Sequence, residues 1–370
     1  PSLLFVSKDP KTMTRDYSKF SLGGAPSPRP ALSPLQALGW QPFFSAQIDA
    51  DDMQAHPPVR VTAVHRSGLA VRGDGIEAVL PPDAEVTVGD WLLYDAERPG
   101  ASRLLDRKSL IQRRAAGHEV RQQLIAANIE TAFIVTSCNA DFNVARLERY
   151  LALAFEAGID PVILLTKADM AEDVADYVEQ ATAISDRVPV VALDARGDAP
   201  REKLAPWTKP GRTVAFLGSS GVGKSTLTNA LAGGDMIDTQ GIREDDAKGR
   251  HTTTHRELHV IEGGPVVLDT PGMREIQLSD VADGIAAVFA DIEALTTRCR
   301  FRDCAHETEP GCAVKAAIES GDLDPDRLTR WRKLAAEEMH NSESIAERRA
   351  REKGFARHVK RVVNEKPNRR

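Results

Sequence analysis

At 370 residues, the chain is too long for one ordinary hydrophobic core, and its length favours two or three domains, with three as the working number. Apolar residues make up 42% and charged residues 28% of the sequence, and no apolar run is long enough to span a bilayer, so we expect a soluble globular protein. The net charge of −6 excludes a general polycation, and any contact with nucleic acid must come from local basic surfaces.

The first part of the sequence has no sustained hydrophobic period. Residues 1–34 are rich in Ser, Pro, Gly and Lys, and they contain no signal-peptide pattern. We therefore predict a flexible N-terminal extension over residues 1–37 and a cytoplasmic protein.

Short segments of alternating polarity follow, separated by turn residues. They are residues 60–66, 69–72, 76–80 and 91–94. This period predicts a small antiparallel barrel of the OB type, which we bound at residues 38–113. Barrels of this size bind RNA in some proteins and act as structural spacers in others, and both interpretations stay open here.

Continuous apolar runs then alternate with helical segments, which predicts an α/β domain at residues 114–280 with a mostly parallel sheet covered on both faces. The strand-like runs are residues 131–137, 161–166, 188–192, 213–217 and 265–269, and residues 144–157 form one of the helical segments. Cys138, after the first run, is predicted to be a buried thiol rather than a reactive one.

The second of these runs ends in an element typical of guanine recognition. Its residues are Thr166, Lys167, Ala168 and Asp169. The carboxylate of Asp169 can accept from both N1–H and N2–H of guanine, which adenine cannot offer, so the element predicts selection of GTP over ATP. Thr166 replaces the usual Asn and lacks its amide, which predicts a weaker tie to neighbouring loops and to the base. In the loop at 192–195, where a backbone amide normally meets the guanine O6, Asp194 replaces the usual Ser.

A phosphate-binding loop comes after the guanine element, whereas ordinary GTPases have it before. The loop consists of Gly218, Ser219, Ser220, Gly221, Val222, Gly223, Lys224, Ser225 and Thr226. It lies between an apolar strand and a helix-forming run, which is the context that the motif needs, so a mere glycine-rich turn is disfavoured. We expect Lys224 to reach the β and γ phosphates and Ser225 to bind Mg²⁺. The permuted order predicts an ordinary sheet whose chain ends lie elsewhere, after the segment that senses the γ-phosphate.

A second magnesium element follows the run that ends at Asp269. Asp269-Thr-Pro-Gly272 can hold a Mg²⁺ water through Asp269 and meet the γ-phosphate through the amide of Gly272. In the Thr-rich segment 249–254, Thr254 is our first candidate to complete the Mg²⁺ shell and Thr253 the second.

The residue after Gly272 is Met273, where small GTPases place a glutamine that orients the attacking water. Methionine cannot hold water in that way, and His251 is the nearest titratable candidate in sequence. An isolated histidine is more often structural, but the missing glutamine favours a catalytic role for His251.

A cluster of cysteines and one histidine predicts a structural Zn²⁺ site with four protein ligands and no open position. The ligands are Cys299, Cys304, His306 and Cys312. The alternative of free buried cysteines is disfavoured, because these residues are bunched in a polar stretch.

The remaining sequence predicts a helical zinc-binding domain at residues 281–370 with a basic C-terminal tail. Residues 348–361 and 367–370 carry most of the basic charge. We favour binding to a phosphate backbone over a solvated charged face.

Together, these features resemble the circularly permuted ribosome small-subunit-dependent GTPase A family of bacteria, also called RsgA. The resemblance runs from about Leu38 to the C-terminal region, and its most specific parts are the permuted order, residues 249–257 and residues 299–312. It implies an OB domain, a permuted GTPase domain and a zinc domain. It also implies GTP hydrolysis that is stimulated by the 30S ribosomal subunit late in its assembly, with contacts to 16S rRNA, and it implies His251 as the catalytic residue.

Two other functions stay open at this point. One is a P-loop ATPase or kinase in which the match at residues 166–169 is accidental, and the other is a non-catalytic RNA-binding zinc protein. The resemblance implies GTP or GDP, Mg²⁺ and one Zn²⁺ as bound groups, and no membrane partner. A monomer is the simplest expectation.

Overall fold

The computed structural model describes residues 32–114, 122–234, 257–269 and 280–342. Apart from Leu32, they all belong to one unit, Ser33–Arg370. This part begins with the short helices α1 (Pro34–Ala37), α2 (Pro42–Ser45) and α3 (Ala50–Ala55). Helix α1 starts with a capping box, because Ser33 and Gln36 each accept a hydrogen bond from the other's backbone N–H.

The segment predicted to be a barrel contains antiparallel strands. These are β1 (Pro58–His65), β2 (Gly68–Gly73), β3 (Glu77–Leu80), β4 (Trp91–Leu93) and β5 (Arg103–Leu104). Strand β1 pairs with β2 and β4, β2 pairs with β3, and β4 pairs with β5. Alternate apolar side chains share one small core that includes Val59, Val61 and Leu69. The predicted antiparallel strands are present, but no ladder in the part of the chain that the structure describes joins β3 to β5 to close a barrel.

A separate antiparallel pair of strands follows, formed by β6 (Leu110–Arg114) and β7 (Gln122–Ala127).

An 11-stranded sheet contains strands β1 to β5 and the strands of the α/β region, and its α/β part is mostly parallel, as predicted. Its strands are β8 (Thr131–Ser137), β9 (Asp160–Thr166), β10 (Val190–Ala192), β11 (Thr213–Leu217), β12 (Glu257–Val260) and β13 (Val266–Asp269). Their order in space is β10-β9-β8-β11-β13-β12, and β12 alone runs antiparallel to its neighbour in this group. The carboxyl ends of β8, β9, β10, β11 and β13 therefore lie at one edge of the sheet.

Helices cover both faces of these strands, which explains their continuous apolar sequences. The helices of this region are α4 (Val144–Glu156), α5 (Val174–Thr182), α6 (Ala199–Leu204) and α7 (Lys224–Ala232). Phe133 and Phe216 share a core with Leu227 of α7. The next residues along β8 and β11 face the opposite side, where Ile134 and Leu217 share a core with α4.

The two groups of strands are joined into one sheet through β1 and β12. Beside this junction lies Arg60 of β1, which is 1% exposed and whose pKa burial lowers to about 10. Its guanidinium donates to the Thr213 hydroxyl at 2.8 Å, to the Asn128 carbonyl at 3.2 Å and to the Gly89 carbonyl at 3.3 Å. One buried side chain thus connects the antiparallel strands to the beginning of the parallel ones.

The C-terminal part of the described chain is helical, as predicted. It contains α8 (Ala282–Val288), α9 (Ala290–Thr296), α10 (Ala313–Ser320) and α11 (Pro325–Ser342). Helix α8 approaches α4 so closely that a Cβ atom at Gly284 would lie 2.0 Å from the Ala152 carbonyl oxygen. No helix in the described ranges has the length and apolar character needed to cross a membrane.

Candidate functional site

The predicted phosphate-binding loop lies at the carboxyl edge of the sheet. It leaves the central strand β11 at Gly218 and enters helix α7 at Lys224. Gly218 has a φ of 150°, and a Cβ atom at this position would lie 2.2 Å from the Val135 carbonyl oxygen on β8. Any larger residue would push the loop off the sheet. A strand, a tight turn and a helix N-terminus in this order form an arrangement that can bind an anion such as phosphate.

The ammonium group of Lys224 folds back over this loop. Its Nζ atom donates to the carbonyl oxygens of Gly218, at 2.8 Å, and of Ser219, at 2.5 Å. The lysine is therefore held at the mouth of the loop, beside the backbone N–H groups that would surround a phosphate.

Arg146, at the start of α4, contacts the same loop, and the sequence did not point to it. Its guanidinium donates to the Ser219 hydroxyl at 2.5 Å and to the Asp141 carboxylate at 2.8 Å. The bond to Ser219 ties the start of α4 to the phosphate-binding loop, and Asp141 holds the guanidinium in position for it.

The described residues of the magnesium site lie at the same edge. Ser225 is in the first turn of α7, and Asp269 is the last residue of β13, the strand next to β11. These residue types and positions suit Mg²⁺, which takes hydroxyl, carboxylate and water oxygens beside a nucleotide phosphate. The other predicted contributors, Thr253, Thr254, Gly272 and the catalytic candidate His251, lie outside the described residues, as does Met273.

The guanine element follows β9 at this edge, and the Thr166 hydroxyl ties it to the phosphate-binding loop. This hydroxyl is fully buried; it donates to the Val222 carbonyl oxygen at 2.7 Å, and the Thr136 carbonyl oxygen lies 3.1 Å away as an alternative acceptor. The tie to the neighbouring loops that the missing Asn amide put in doubt is thus made by the threonine. Lys167 has a φ of 55°, in the left-handed region that is costly for a residue with a side chain and is often retained at ligand sites.

The loop around residues 192–195, predicted to meet the guanine O6, follows β10, and we call it the second base loop. It lies beside the phosphate loop and the guanine element. A Cβ atom at Gly223 would be 3.5 Å from the Ala195 Cβ and 3.9 Å from Thr166. Arg196 in this loop pairs with Asp169 at 2.6 Å and with Asp194 at 3.1 Å. The phosphate loop and the two predicted base loops are therefore brought together, although they are far apart in sequence.

The predicted metal ligands also come together. The sulfurs of Cys299 and Cys312 lie 3.6 and 3.4 Å from Nδ1 of His306, and 4.0 Å from each other. With Cys304 included, all four ligand atoms lie within 4.8 Å of one another. Zn²⁺ binds thiolate at about 2.3 Å in tetrahedral sites, so this cluster has the size and the donor set for zinc. Burial lowers the pKa of His306, which favours the neutral imidazole that a metal requires.

The loop that presents Cys304 and His306 is held by two residues that sequence analysis missed. The carboxylate of Glu309 accepts from the backbone N–H groups of Ala305, Glu307 and Thr308 at 2.7, 2.9 and 3.0 Å. A hydrogen bond from its own backbone N–H, and then these three, lower the pKa of Glu309 to about 2. From the other side, Arg332 of α11 donates to the carbonyls of Ala305 and His306.

Helix α11 is in turn fastened to α4 by ion pairs. The fully buried carboxylate of Glu148 accepts from Nε of Arg330 at 3.0 Å on both oxygens, and NH1 of Arg327 lies 3.6 Å away. Arg149 and Glu337 form a bidentate pair with both distances at 2.6 Å. A charged residue on the otherwise apolar side of α4 is the sequence signal that could have identified Glu148. Helix α4 therefore contacts the phosphate loop through Arg146, and it contacts α11, which also holds the loop of Cys304 and His306, through Glu148 and Arg149.

Comparison with known proteins gives consistent matches. The model of the RsgA GTPase family matches residues 104–279. A small ribosomal subunit biogenesis GTPase RsgA from Mesorhizobium japonicum is 53% identical over 84% of this chain and 92% of its own length. A second such protein, from Vibrio parahaemolyticus, is 46% identical over 91% of this chain and 95% of its own.

Two solved structures are similar in fold. The circularly permuted GTPase YloQ matches 78% of this chain and 97% of its own with a TM-score of 0.52 and 25% identity. YjeQ from Thermotoga maritima matches 75% of this chain and 96% of its own, with a TM-score of 0.54 and 24% identity.

Proposed function

This chain belongs to the RsgA family of circularly permuted GTPases, and we propose that it hydrolyses GTP to GDP and phosphate on the 30S ribosomal subunit, late in the assembly of that subunit. The observation that carries the proposal is the high identity to small ribosomal subunit biogenesis GTPases over most of the chain. It is supported by the meeting of the phosphate loop with Thr166 and Ala195 at one sheet edge. On this proposal the protein works in the cytoplasm as a monomer, and it binds the 30S subunit through contacts with 16S rRNA.

The proposed division of labour follows the domains expected from the sequence. Residues 1–37 are an extension, 38–113 an OB-type domain that contacts rRNA, 114–280 the GTPase domain, and 281–370 the zinc domain with its basic tail. The OB-type domain is supported by the antiparallel pairing among strands β1 through β5 and by their separate core. The tail, at 348–361 and 367–370, lies outside the described residues, and its density of Lys and Arg supports contact with RNA phosphates.

In the nucleotide site, each loop has a proposed task. The phosphate loop and Lys224 bind the β and γ phosphates. Mg²⁺ is held, directly or through water, by Ser225, Thr254 and Asp269. The element at 166–169 binds guanine. When bound, Mg²⁺ neutralises charge on the phosphates. The amide of Gly272 then contacts the γ-phosphate and senses its loss.

For the hydrolytic step, we assign the orientation of the attacking water to His251. Met273 cannot do so, and general-base or water-positioning groups contribute about 10²- to 10⁴-fold to rate. His251→Ala should therefore abolish hydrolysis stimulated by 30S subunits while GDP binding stays intact, as measured by phosphate release and by nucleotide titration. His255→Ala, four residues further along, is the control. Normal stimulated turnover in His251→Ala would show that the role is misassigned.

The cysteine and histidine cluster is proposed to hold one structural Zn²⁺ in a closed site. Zinc would tie together a loop-rich segment with little core of its own, and it would take no part in hydrolysis because no coordination position is open.

Removing the carboxylate of Glu309 should weaken this site without removing a ligand. Partners that orient metal ligands are typically worth about 10- to 100-fold in metal affinity. We expect Glu309→Ala to release zinc to a chromophoric chelator at least about tenfold faster than the wild type, because the loop that presents Cys304 and His306 loses its anchor. Glu307→Ala, on an exposed neighbour, should release zinc at the wild-type rate. Equal release rates in the two variants would contradict the assignment.

We propose that hydrolysis releases the protein from the subunit by moving the zinc domain. The chain runs from the γ-phosphate segment at 269–272 directly toward that domain, and α4 gives a second connection from the phosphate loop to α11. Sedimentation with 30S subunits should show tighter binding with a non-hydrolysable GTP analogue than with GDP, and 50S subunits are the control. Equal affinities would mean that the nucleotide states have no differential binding energy, and the release model would fail.

A further inference from the structure

The carboxylate assigned to guanine recognition already has a cationic partner in the structure. Arg196 NH2 lies 2.6 Å from Oδ2 of Asp169, and Arg196 Nε lies 3.1 Å from Oδ1 of Asp194. One guanidinium therefore bridges two carboxylates that belong to the two base loops, after β9 and after β10.

Asp194 is the residue that holds Arg196 in this position. Its Oδ1 atom accepts from the backbone N–H of Arg196 at 3.0 Å as well as from the side chain. These hydrogen bonds, from the backbone first and the guanidinium second, lower the pKa of Asp194, so it is ionised at neutral pH. The serine that is usual at this position has no charge and could not hold an arginine in this way.

The contact conflicts with base recognition. To read N1–H and N2–H of guanine, Asp169 must offer both of its carboxylate oxygens to the base, and Oδ2 is the oxygen that Arg196 binds. Guanine and Arg196 cannot both make short, well-directed hydrogen bonds to the same oxygen along the same approach. Each carboxylate oxygen has two lone pairs, so competition requires that the guanidinium lie on the side of Oδ2 that the base approaches. In that arrangement, binding of the base displaces the guanidinium from Asp169, while Asp194 keeps it close enough to return.

We propose that Arg196 competes with guanine for Asp169, that Asp194 positions it to do so, and that this competition lowers the affinity for guanine nucleotides and speeds the release of GDP. The inference rests on the proposed function, since it concerns the base site of the same GTPase. Arg196 thereby sets how tightly the site holds its nucleotide without selecting against guanine.

The size of the effect follows from exposure. The side chain of Arg196 is 66% exposed and that of Asp169 is 33% exposed. Exposed ion pairs are weak, so displacing Arg196 should change nucleotide affinity by about two- to fivefold. Affinity differences between related complexes arise mostly in the dissociation rate, and release of GDP should change by a similar factor. Because salt weakens exposed ion pairs, the effect of Arg196 on GDP affinity should decrease as the ionic strength rises. An uncharged contact with the base would not show this dependence.

The test compares Arg196→Ala with the wild type in equilibrium titrations with GDP and in release of a fluorescent GDP analogue, at low and high potassium chloride and constant Mg²⁺. The variant should bind GDP about two- to fivefold tighter at low salt and release it more slowly. The ratio of the two dissociation constants should approach one at high salt. Taking the ratio removes the salt dependence of the phosphate contacts, which both proteins share.

Two further variants sharpen the result. Asp194→Asn keeps an acceptor for the backbone N–H but removes the charge, and it should shift GDP affinity in the same direction as Arg196→Ala by a smaller factor. Arg98→Ala removes an exposed arginine that pairs with Asp95 at 3.3 Å, away from the base loops, and should leave GDP binding unchanged.

The outcomes distinguish a failure of the Arg196 competition from a failure of the proposed GTPase function. Equal or weaker GDP binding by Arg196→Ala would overturn the competition, and weaker binding would make Arg196 a contact of the bound nucleotide. An unchanged Asp194→Asn would overturn the positioning role of Asp194. If ADP displaced GDP from the wild type as well as unlabelled GDP does, the guanine site itself would be wrong, and with it the proposed function.

Discussion

Replacing Lys224 with alanine should reduce GTP hydrolysis by about 10²- to 10³-fold, the usual effect of removing one preorganised group that stabilises developing charge. In the structure the Lys224 ammonium donates to two carbonyl oxygens of its own loop, those of Gly218 and Ser219, at 2.8 and 2.5 Å. A phosphate entering the loop offers charged oxygens instead, which bind an ammonium more strongly than neutral carbonyls do. The Lys224 ammonium is thus already within the site and needs little reorganisation to contact a phosphate.

The measurement is steady-state phosphate release with and without 30S subunits. Lys209→Ala is the matched control, since it removes an exposed lysine from the segment before β11 and should have wild-type turnover. Hydrolysis by Lys224→Ala within a few-fold of the wild type would mean that nucleotide does not bind in this loop.

Replacing Glu148 with alanine should destabilise the protein by about 3 kcal/mol, the lower end of the range for removing one partner of a buried ion pair. The Glu148 carboxylate is fully buried, and its loss leaves Arg330, among the residues that the structure describes, with a distant contact to Asp324 at 3.9 Å. Arg327 is better placed, because it keeps a 2.7 Å contact to Asp291. Burial raises the pKa of Glu148 in spite of the opposing effect of Arg330, so the pair itself adds little net stability and the loss comes from the arginine left behind.

The double variant Glu148→Met/Arg330→Met removes both charges of the pair and should recover most of the lost stability, measured as the midpoint of urea unfolding. Glu337→Ala is the control, because the Arg149–Glu337 pair is 31% and 27% exposed and its loss should cost about 1 kcal/mol. A single variant as stable as the wild type, or a double variant no better than the single, would contradict the account.

Features set by neighbouring residues could be predicted from the sequence. The helix predicted after the phosphate loop begins at Lys224 and ends at Ala232 in the structure, because a glycine-rich turn and a helix-forming run fix both ends locally. The cluster of three cysteines and one histidine could likewise be predicted, since its four residues fall within a short segment. The strand at 213–217 agrees for a similar reason, as its apolar run is bounded by polar residues.

Contacts between distant segments could not be predicted in this way. The pairing of β1 with β12 joins two groups of strands that no sequence motif connects, and it depends on how complete elements pack. Arg146 with Ser219, and Glu148 with Arg330, are separated by 73 and 182 residues, so nothing local indicates either pair. At Thr166 the residue type was read correctly as a departure from Asn, but its hydroxyl bond to Val222 depends on the position of the phosphate loop.

We propose that the small ribosomal subunit activates this GTPase. The most direct test is hydrolysis of GTP and of ATP by the purified protein, alone, with 30S subunits and with 50S subunits. We expect strong stimulation of GTP hydrolysis by 30S subunits alone and little turnover of ATP. Turnover that 30S subunits do not stimulate, or that favours ATP, would leave the phosphate loop in place and contradict the ribosomal function.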